Sequence, residues 1–188
     1  YNPTTIDLNL HDQQKKHEAK KEIVIGWTGT HSTLKYLQEI VPIIQKLSKK
    51  YPIQFVVIAN QKPDFQLDSL NFIFWTKENE IQDLLKFDIG IMPLSADRWS
   101  DGKCGFKALQ YMVLGIPTLA SPVGVNAKII EDGENGFLCK NALEWEQKLV
   151  LLIENHELRA EFGMKAHQKV KKEYSVESNK KNFLNFFQ

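Results

Sequence analysis

The residues best suited to chemistry lie in one run, Gly102-Lys103-Cys104-Gly105-Phe106-Lys107-Ala108-Leu109-Gln110-Tyr111-Met112, continued by Gly115-Ile116-Pro117-Thr118-Leu119-Ala120-Ser121-Pro122-Val123-Gly124. A Gly-rich turn opening onto an amphipathic helix presents unpaired backbone N–H groups and the positive end of the helix dipole, which together suit a phosphate or another anion. Lys103 and Lys107 add charge there, although a cation at that end opposes the dipole unless an anion is bound. Two solvent-facing lysines are the plain alternative. A second turn, Gly26-Trp27-Thr28-Gly29-Thr30-His31-Ser32-Thr33, combines two glycines with several hydroxyls. Glycine lets backbone approach a ligand, and Ser or Thr can bond a phosphate oxygen or cap the next helix; an ordinary turn capped by Ser32 or Thr33 fits the same pattern.

Strand and helix patterns alternate around these turns, which predicts an α/β fold with a mostly parallel sheet covered on both faces. Strands are expected at Glu22–Trp27, Ile53–Ala59, Asn71–Trp75, Asp88–Met92, Thr118–Ser121 and Phe137–Cys139. Apolar residues from Leu34 to Leu47 recur at helical spacing, with a kink at Pro42. Shorter helices follow over Asn79–Lys86, 106–114 and Ala127–Glu131, and the remainder reads as helices broken near Asn155 and Tyr174. In such a sheet the ligand crevice lies beyond the carboxyl ends of the strands. That rule singles out Gly26, Thr28 and Gly29 after the first strand, Trp75 and Thr76 after the third, and the loops 93–100 and 122–126. Residues 1–21 read as a linker or surface segment, and 22–188 as one domain.

The 188 residues are 43% hydrophobic and 25% charged, enough for one sizeable core. A net charge of +1 gives no whole-protein field to draw nucleic acid or an anionic membrane. No apolar run reaches the roughly 18 residues of a membrane span. Cys104 and Cys139 are the only cysteines and, like the five histidines, lack metal-ligand spacing, so no metal is expected and a reducing cytoplasm is the economical setting. Of the histidines only His31 falls in a crevice loop; the other four are expected to be solvated. The late lysines, from Lys165 to Lys181, read as the wet face of terminal helices, and Phe183, Phe186 and Phe187 as an apolar stripe.

The run from Gly102 to Gly124 resembles the signature of retaining glycosyltransferases of family 4, in the GT-B superfamily, where a Gly-rich loop and an E-x7-E helix precede a G-x-P-V-x-A-S strand and a glycine turn. Pro3-Thr4-Thr5-Ile6-Asp7 is similar to the linker entering the C-terminal domain, Glu22 to Leu37 to its first strand and loop, and Tyr174-Ser175-Val176-Glu177 to its closing helix. The resemblance implies a Rossmann-like domain that binds a nucleotide-sugar donor, a UDP- or GDP-sugar, as substrate with no cofactor. A start at Tyr1, without methionine, is the expectation for an excised C-terminal half. The missing partner is an N-terminal acceptor-binding domain. By analogy the enzyme is cytoplasmic, at the inner membrane face with peripheral contact, and serves surface polysaccharide or glycolipid synthesis.

The implied donor-binding residues are Gly26, Thr28, Gly29, Trp75, Thr76, Lys103, Cys104, Gly105, Phe106, Lys107 and Gln110, with no catalytic residue in this half. The sequence departs from the family in two places. Trp27 and Ser32 stand where the first loop has its arginine and lysine, so Lys103 and Lys107 are the expected substitutes. Gly102 and Gln110 stand where the paired glutamates are; Gln110 keeps an amide able to bond ribose hydroxyls, while Gly102 leaves Asp101 or backbone amides to hold the sugar. A non-catalytic nucleotide-binding or scaffold module and a nucleotide-sugar epimerase are the alternatives.

Overall fold

Runs of β-branched and aromatic residues, apolar on both faces, can only be satisfied as strands sandwiched between helices. The computed structural model describes residues 3–185. Its strands are β1 (Ile23–Gly29), β2 (Ile53–Ala59), β3 (Leu70–Phe74), β4 (Ile89–Met92), β5 (Thr118–Ala120) and β6 (Gly136–Leu138). They form one parallel, Rossmann-like sheet in the order β3-β2-β1-β4-β5-β6. The helices are α1 (Val41–Ser48), α2 (Glu80–Leu84), α3 (Arg98–Asp101), α4 (Phe106–Val113), α5 (Asn126–Ile129), α6 (Ala142–Glu154), α7 (His156–Lys169) and α8 (Val176–Leu184).

The strand alternation sorts the core into two layers. Ile23, Ile25, Trp27, Phe55 and Val57 face α1 and α6, meeting Ile44, Leu47, Leu149 and Leu152. Val56, Ile58 and Met92 lie on the other side with Phe87, the buried face of α4, and Ala166 and Val170. Every expected strand is present within two residues of its limits. The expected helix from Leu34 to Lys50 is instead two elements, a 3-10 helix over His31–Glu39 and then α1. Pro42 lies in the first turn of α1, where its missing N–H leaves no bond unmade, so it starts a helix rather than bending one. Thr30, rather than Ser32 or Thr33, caps the 3-10 helix.

The segment expected as surface linker is a strap across the amino ends of the strands. Ile6 is buried and pairs with Ser175, Lys15 N–H donates to Leu114 O at 2.7 Å, and His17 Nε2 bonds Gly115 O at 2.8 Å. His11 is also buried, with Nδ1 on Asp7 O, and His167 Nδ1 bonds Val113 O at 2.6 Å; these three histidines are packed rather than solvated. Helix ends leave carbonyls unpaired, and the C-terminal end of α4 takes imidazoles from two directions. Burial pushes the His17 ring below the ordinary imidazole range, partly countered by Gly115 O. Among the late lysines Lys165 pairs with Glu161 and Glu134, and Lys169 with Glu131. Phe183 is half exposed, and Phe186 and Phe187 lie outside the described residues.

Asp88, just before β4, is the ionic centre of this base. Its carboxylate accepts from Val24 N–H at 2.7 Å and pairs with Lys15 at 3.1 Å and Lys20 at 2.5 Å. Lys15 is itself mostly buried, and desolvation holds its pKa below the usual lysine value despite Asp88. Asp88→Ala leaves that ammonium without its counter-ion, held only by the Leu85 carbonyl at 2.8 Å and the Lys86 carbonyl, and the Val24 N–H without its acceptor, and is expected to cost about 3 kcal/mol of stability. A urea midpoint within error of the parent's, at an unchanged slope, would contradict this.

Candidate functional site

The sheet order reverses between β1 and β4, so the loops after these strands run in opposite directions and leave a crevice between them. β1 stays paired with β2 as far as Gly29↔Ala59, whereas its register with β4 ends at Gly26↔Gly90. Beyond Gly26 a substitute partner is needed, and the Thr28 N–H donates to Tyr111 Oη at 2.9 Å. Tyr111 comes from α4 and is fully buried, and burial pushes its hydroxyl well above the ordinary phenol range. Its ring fits against the sheet because position 90 is glycine, where a Cβ would lie 2.5 Å from the ring; at Gly26 a Cβ would meet Phe87 at 2.1 Å. Phe87 and Tyr111 touch edge to face at 5.8 Å. The structure thus supplies a packing reason for glycine at 26.

Anchored this way, α4 points its amino end into the crevice. Its N-cap, Gly105, has φ +72, and a Cβ there would stand 2.3 Å from Ile129 Cδ1, so two constraints require glycine. Lys107 lies one turn before Tyr111 on the same helical stripe, and Gln110 is its neighbour at i+3. Lys107 is largely buried; desolvation first, then the charge of Lys103, lower its pKa. Among the described residues no carboxylate forms an ion pair with it. Lys103 is partly exposed, with its ammonium 5.0 Å from the centre of the Trp99 ring. Gln110 is only 3% exposed, yet among the described residues its side-chain amide has no hydrogen-bond partner. Cys104 and Phe106 are exposed beside the turn, and Gly102 has room for a side chain, the nearest atom to a Cβ being Trp99 O at 3.6 Å.

The neighbouring loops complete the crevice. Thr28 is 5% exposed, and Gly29 ends β1 against the Trp27 ring. Trp27 itself is buried in the core, so the first loop offers no cationic side chain at that place, and Ser32 Oγ is spent on Thr30 Oγ1 at 2.9 Å. After β3, Trp75 stays 37% exposed, its indole N–H bonded to Glu80 at 2.9 Å, which pins the ring and leaves a face open. The Thr76 hydroxyl is buried with no partner among the described residues. Past β4, Asp97 caps the one-turn α3 through Ser100 N–H at 2.7 Å, and Ser100 Oγ bonds Tyr36 of the 3-10 helix at 3.0 Å. A cavity of about 520 Å³, floored by Leu94, Cys139 and Trp145, extends the crevice toward β6. Burial pushes the Cys139 thiol up to about 12, so it is an inert wall residue.

Gly105, Phe106, Lys107 and Gln110 are therefore gathered on one helix end, with Lys103 and Cys104 on its approach. Thr28 and Gly29 face that end across the switch point, and Trp75 and Thr76 lie beyond β2 at the far side. Sequence reasoning missed Tyr111, which sets the height of the helix, and Asn60, which holds the first loop through His31 N–H at 2.8 Å. The signal for Tyr111 was the pair of glycines inside strand patterns, Gly26 and Gly90, each the mark of a close approach.

An anion corner at the switch point of a parallel sheet is the arrangement of a nucleotide-binding domain. The chain belongs to the Glycosyl transferases group 1 family, which it matches over residues 22–155. It is 33% identical over 86 residues to the poly(ribitol-phosphate) alpha-N-acetylglucosaminyltransferase of Staphylococcus aureus, which is 44% of this chain and 17% of that enzyme. It thus spans under a fifth of that relative's length. In structure it is similar to the C-terminal domain of the group 1 glycosyl transferase LpcC of Francisella tularensis, at 24% identity and TM-score 0.68, covering 94% of this chain and 96% of that one. It also resembles Anabaena HepE, solved with UDP and glucose, at 14% identity and TM-score 0.73, covering 97% of this chain and 55% of that one. These likenesses show the fold to be that of a GT-B glycosyltransferase domain.

Two expectations follow from this geometry. Lys107→Ala and Lys103→Ala should each weaken nucleoside diphosphate binding by about 1 kcal/mol or more, with the melting temperature nearly unchanged. A bound anion restores the depressed Lys107 pKa, so by linkage affinity falls as pH climbs through the alkaline range; Lys107→Arg, which stays charged, should hold its affinity there. Calorimetric titration across that range checks both, and equal binding by parent and alanine variants removes the lysines from the site. For Gln110, replacement by Ala should cost on the order of 1–3 kcal/mol with a ribose-bearing diphosphate and little with its dideoxyribose counterpart, while Gln110→Glu is tolerated. Equal losses with both ligands would make Gln110 a packing residue.

Proposed function

We propose that this chain is the donor-binding half of a retaining glycosyltransferase that moves a sugar from a UDP- or GDP-sugar to an acceptor hydroxyl. The observation that carries the reading is Lys107: a largely buried ammonium at a helix amino end, beside a second lysine and without a carboxylate, is an electrostatic arrangement completed by a polyanion. A scaffold module has no use for such a charge. Family membership supports transfer over epimerisation.

In this reading the α4 amides, Lys103 and Lys107 hold the diphosphate, Gln110 the ribose, and Trp75 and Thr76 the base, with Thr28 and Gly29 closing over the phosphates. Cleavage of the sugar–phosphate bond leaves positive charge on the sugar carbon and negative charge on the departing phosphate. Fixed cations and backbone dipoles at the phosphate stabilise that charge as it develops, and need no reorganisation at the moment of reaction. The reading assigns no residue of this crevice to proton transfer and leaves the acceptor site to an upstream domain. Surface polysaccharide or glycolipid synthesis, at the inner face of the cytoplasmic membrane, is the setting this reading takes, and the poly(ribitol-phosphate) transferase among the relatives supports a polymeric acceptor.

The isolated chain is expected to bind a nucleoside diphosphate, seen as a ligand-dependent rise in melting temperature, and to transfer no sugar until it is joined to an upstream domain. A screen against UDP, GDP, ADP and their sugars tests the first part. Absence of any shift overturns the donor site, and turnover by the 188-residue chain alone overturns the division of labour.

A further inference from the structure

We infer that His31 is a further diphosphate-contacting residue of this crevice, and that Asn60 is the positioning residue that keeps its Nε2–H a hydrogen-bond donor. The inference rests on the reading of the crevice as a nucleotide-sugar site. It answers a question that reading leaves open, namely what the first loop contributes once Trp27 is buried in the core and Ser32 is bonded to Thr30.

His31 opens the 3-10 helix immediately past β1, and Asn60 is the first residue past β2. Two contacts join them: His31 N–H donates to Asn60 Oδ1 at 2.8 Å, and Asn60 Nδ2 lies 3.2 Å from His31 Nδ1. The first contact fixes the amide, because a backbone N–H can only donate and must therefore face the oxygen. The NH2 group is then turned to the imidazole, and since it too can only donate, Nδ1 must accept. A neutral ring whose Nδ1 accepts carries its proton on Nε2. The ring is exposed, and among the described residues Nε2 has no partner. The same loop is tied to the opposite wall by the Thr28–Tyr111 and Tyr36–Ser100 bonds, which fixes its place across from the end of α4. The result is an oriented N–H donor on the first-loop side of the switch point, where the loop's other side-chain donor past the strand core is the Thr28 hydroxyl.

A neutral donor need not be charged to work. Its contribution therefore does not depend on the ring carrying a charge, unlike that of a histidine acting only as a cation. Charged side chains on the flanking elements are Lys35 and Glu39 on the same helix, Lys62 and Asp64 past β2, Lys77, Glu78 and Glu80 past β3, and Asp97, Arg98, Asp101, Lys103 and Lys107 past β4. They are common to parent and variants, so the comparison between proteins isolates the ring.

The test is calorimetric titration of the 188-residue chain with UDP-glucose and GDP-mannose from pH 6 to 8.5, diphosphate diesters whose own charge is constant over that range. His31→Ala should weaken binding about fivefold at every pH, and His31→Gln, which can still donate, should recover most of it. Asn60→Asp supplies an acceptor in place of the NH2 group and draws the neutral ring's proton to Nδ1, leaving Nε2 an acceptor. That variant should bind like His31→Ala at pH 8. In the unaltered chain, nitrogen-15 spectra of the imidazole should show Nε2 protonated and shifting on ligand addition. If Lys107→Ala weakens binding while His31→Ala does not, this inference alone falls. Parental affinity of Asn60→Asp at pH 8 removes Asn60 from its role. A parent that binds neither nucleotide sugar overturns the inference together with the donor-site reading.

Discussion

The fit of Phe87 and Tyr111 into the gap left by Gly26 and Gly90 is the constraint on which the crevice depends. Two aromatic rings take the places of two absent Cβ atoms, so α4 lies closer to the sheet than side chains elsewhere would permit. A packed interior resists even small displacements, which makes this contact a ruler rather than a cushion. The hydroxyl of Tyr111 then reaches the one β1 amide that has passed the end of the β4 ladder. Packing fixes the height of the helix, and the hydrogen bond fixes its rotation. Lys107 and Gln110 inherit both, being one turn and one residue away from Tyr111.

Charge is arranged differently at the two ends of the sheet. At the amino ends two lysines converge on Asp88, and the ionic group is complete within the fold. At the carboxyl ends Lys103 and Lys107 converge with no acid between them, and a helix amino end adds to the same positive field. The fold tolerates this second group because Lys103 is spread over the Trp99 ring and Lys107 keeps a route to water. The self-compensated ionic group and the uncompensated positive one are thus separated by the length of a strand.

The architecture was legible because each strand is a dense apolar run, with a glycine or proline near an end of every one but β3, and because the resemblance covers nearly the whole chain. The anion corner was legible for the same reason, since Gly105 and the lysines follow each other within a few residues. What escaped were contacts between residues far apart in sequence. Nothing local marks His17 or His167 as bonded to the end of α4, or Asp88 as the target of lysines in a polar stretch that reads as linker. The 3-10 helix escaped because its apolar spacing is compatible with an α-helix, and the element type was decided by Thr30 and Pro42 at its two ends. Trp27 stands where the resemblance expects an arginine, and only strand alternation in three dimensions shows that its side chain points into the core.

The first described segment and the start of α8 meet. Ile6 N–H donates to Tyr174 O at 2.8 Å, and Val176 N–H donates back to Ile6 O at 3.0 Å, so the incoming segment is clipped to the start of α8. Mechanically, the domain has one corner through which it can be held. Torque applied through polypeptide on either side reaches the sheet at the same place, so it swings the body as a whole about that corner instead of shearing the crevice open. The clip also sets the natural cut for grafting: a domain moved into another protein keeps its shape only if Ile6 travels with it.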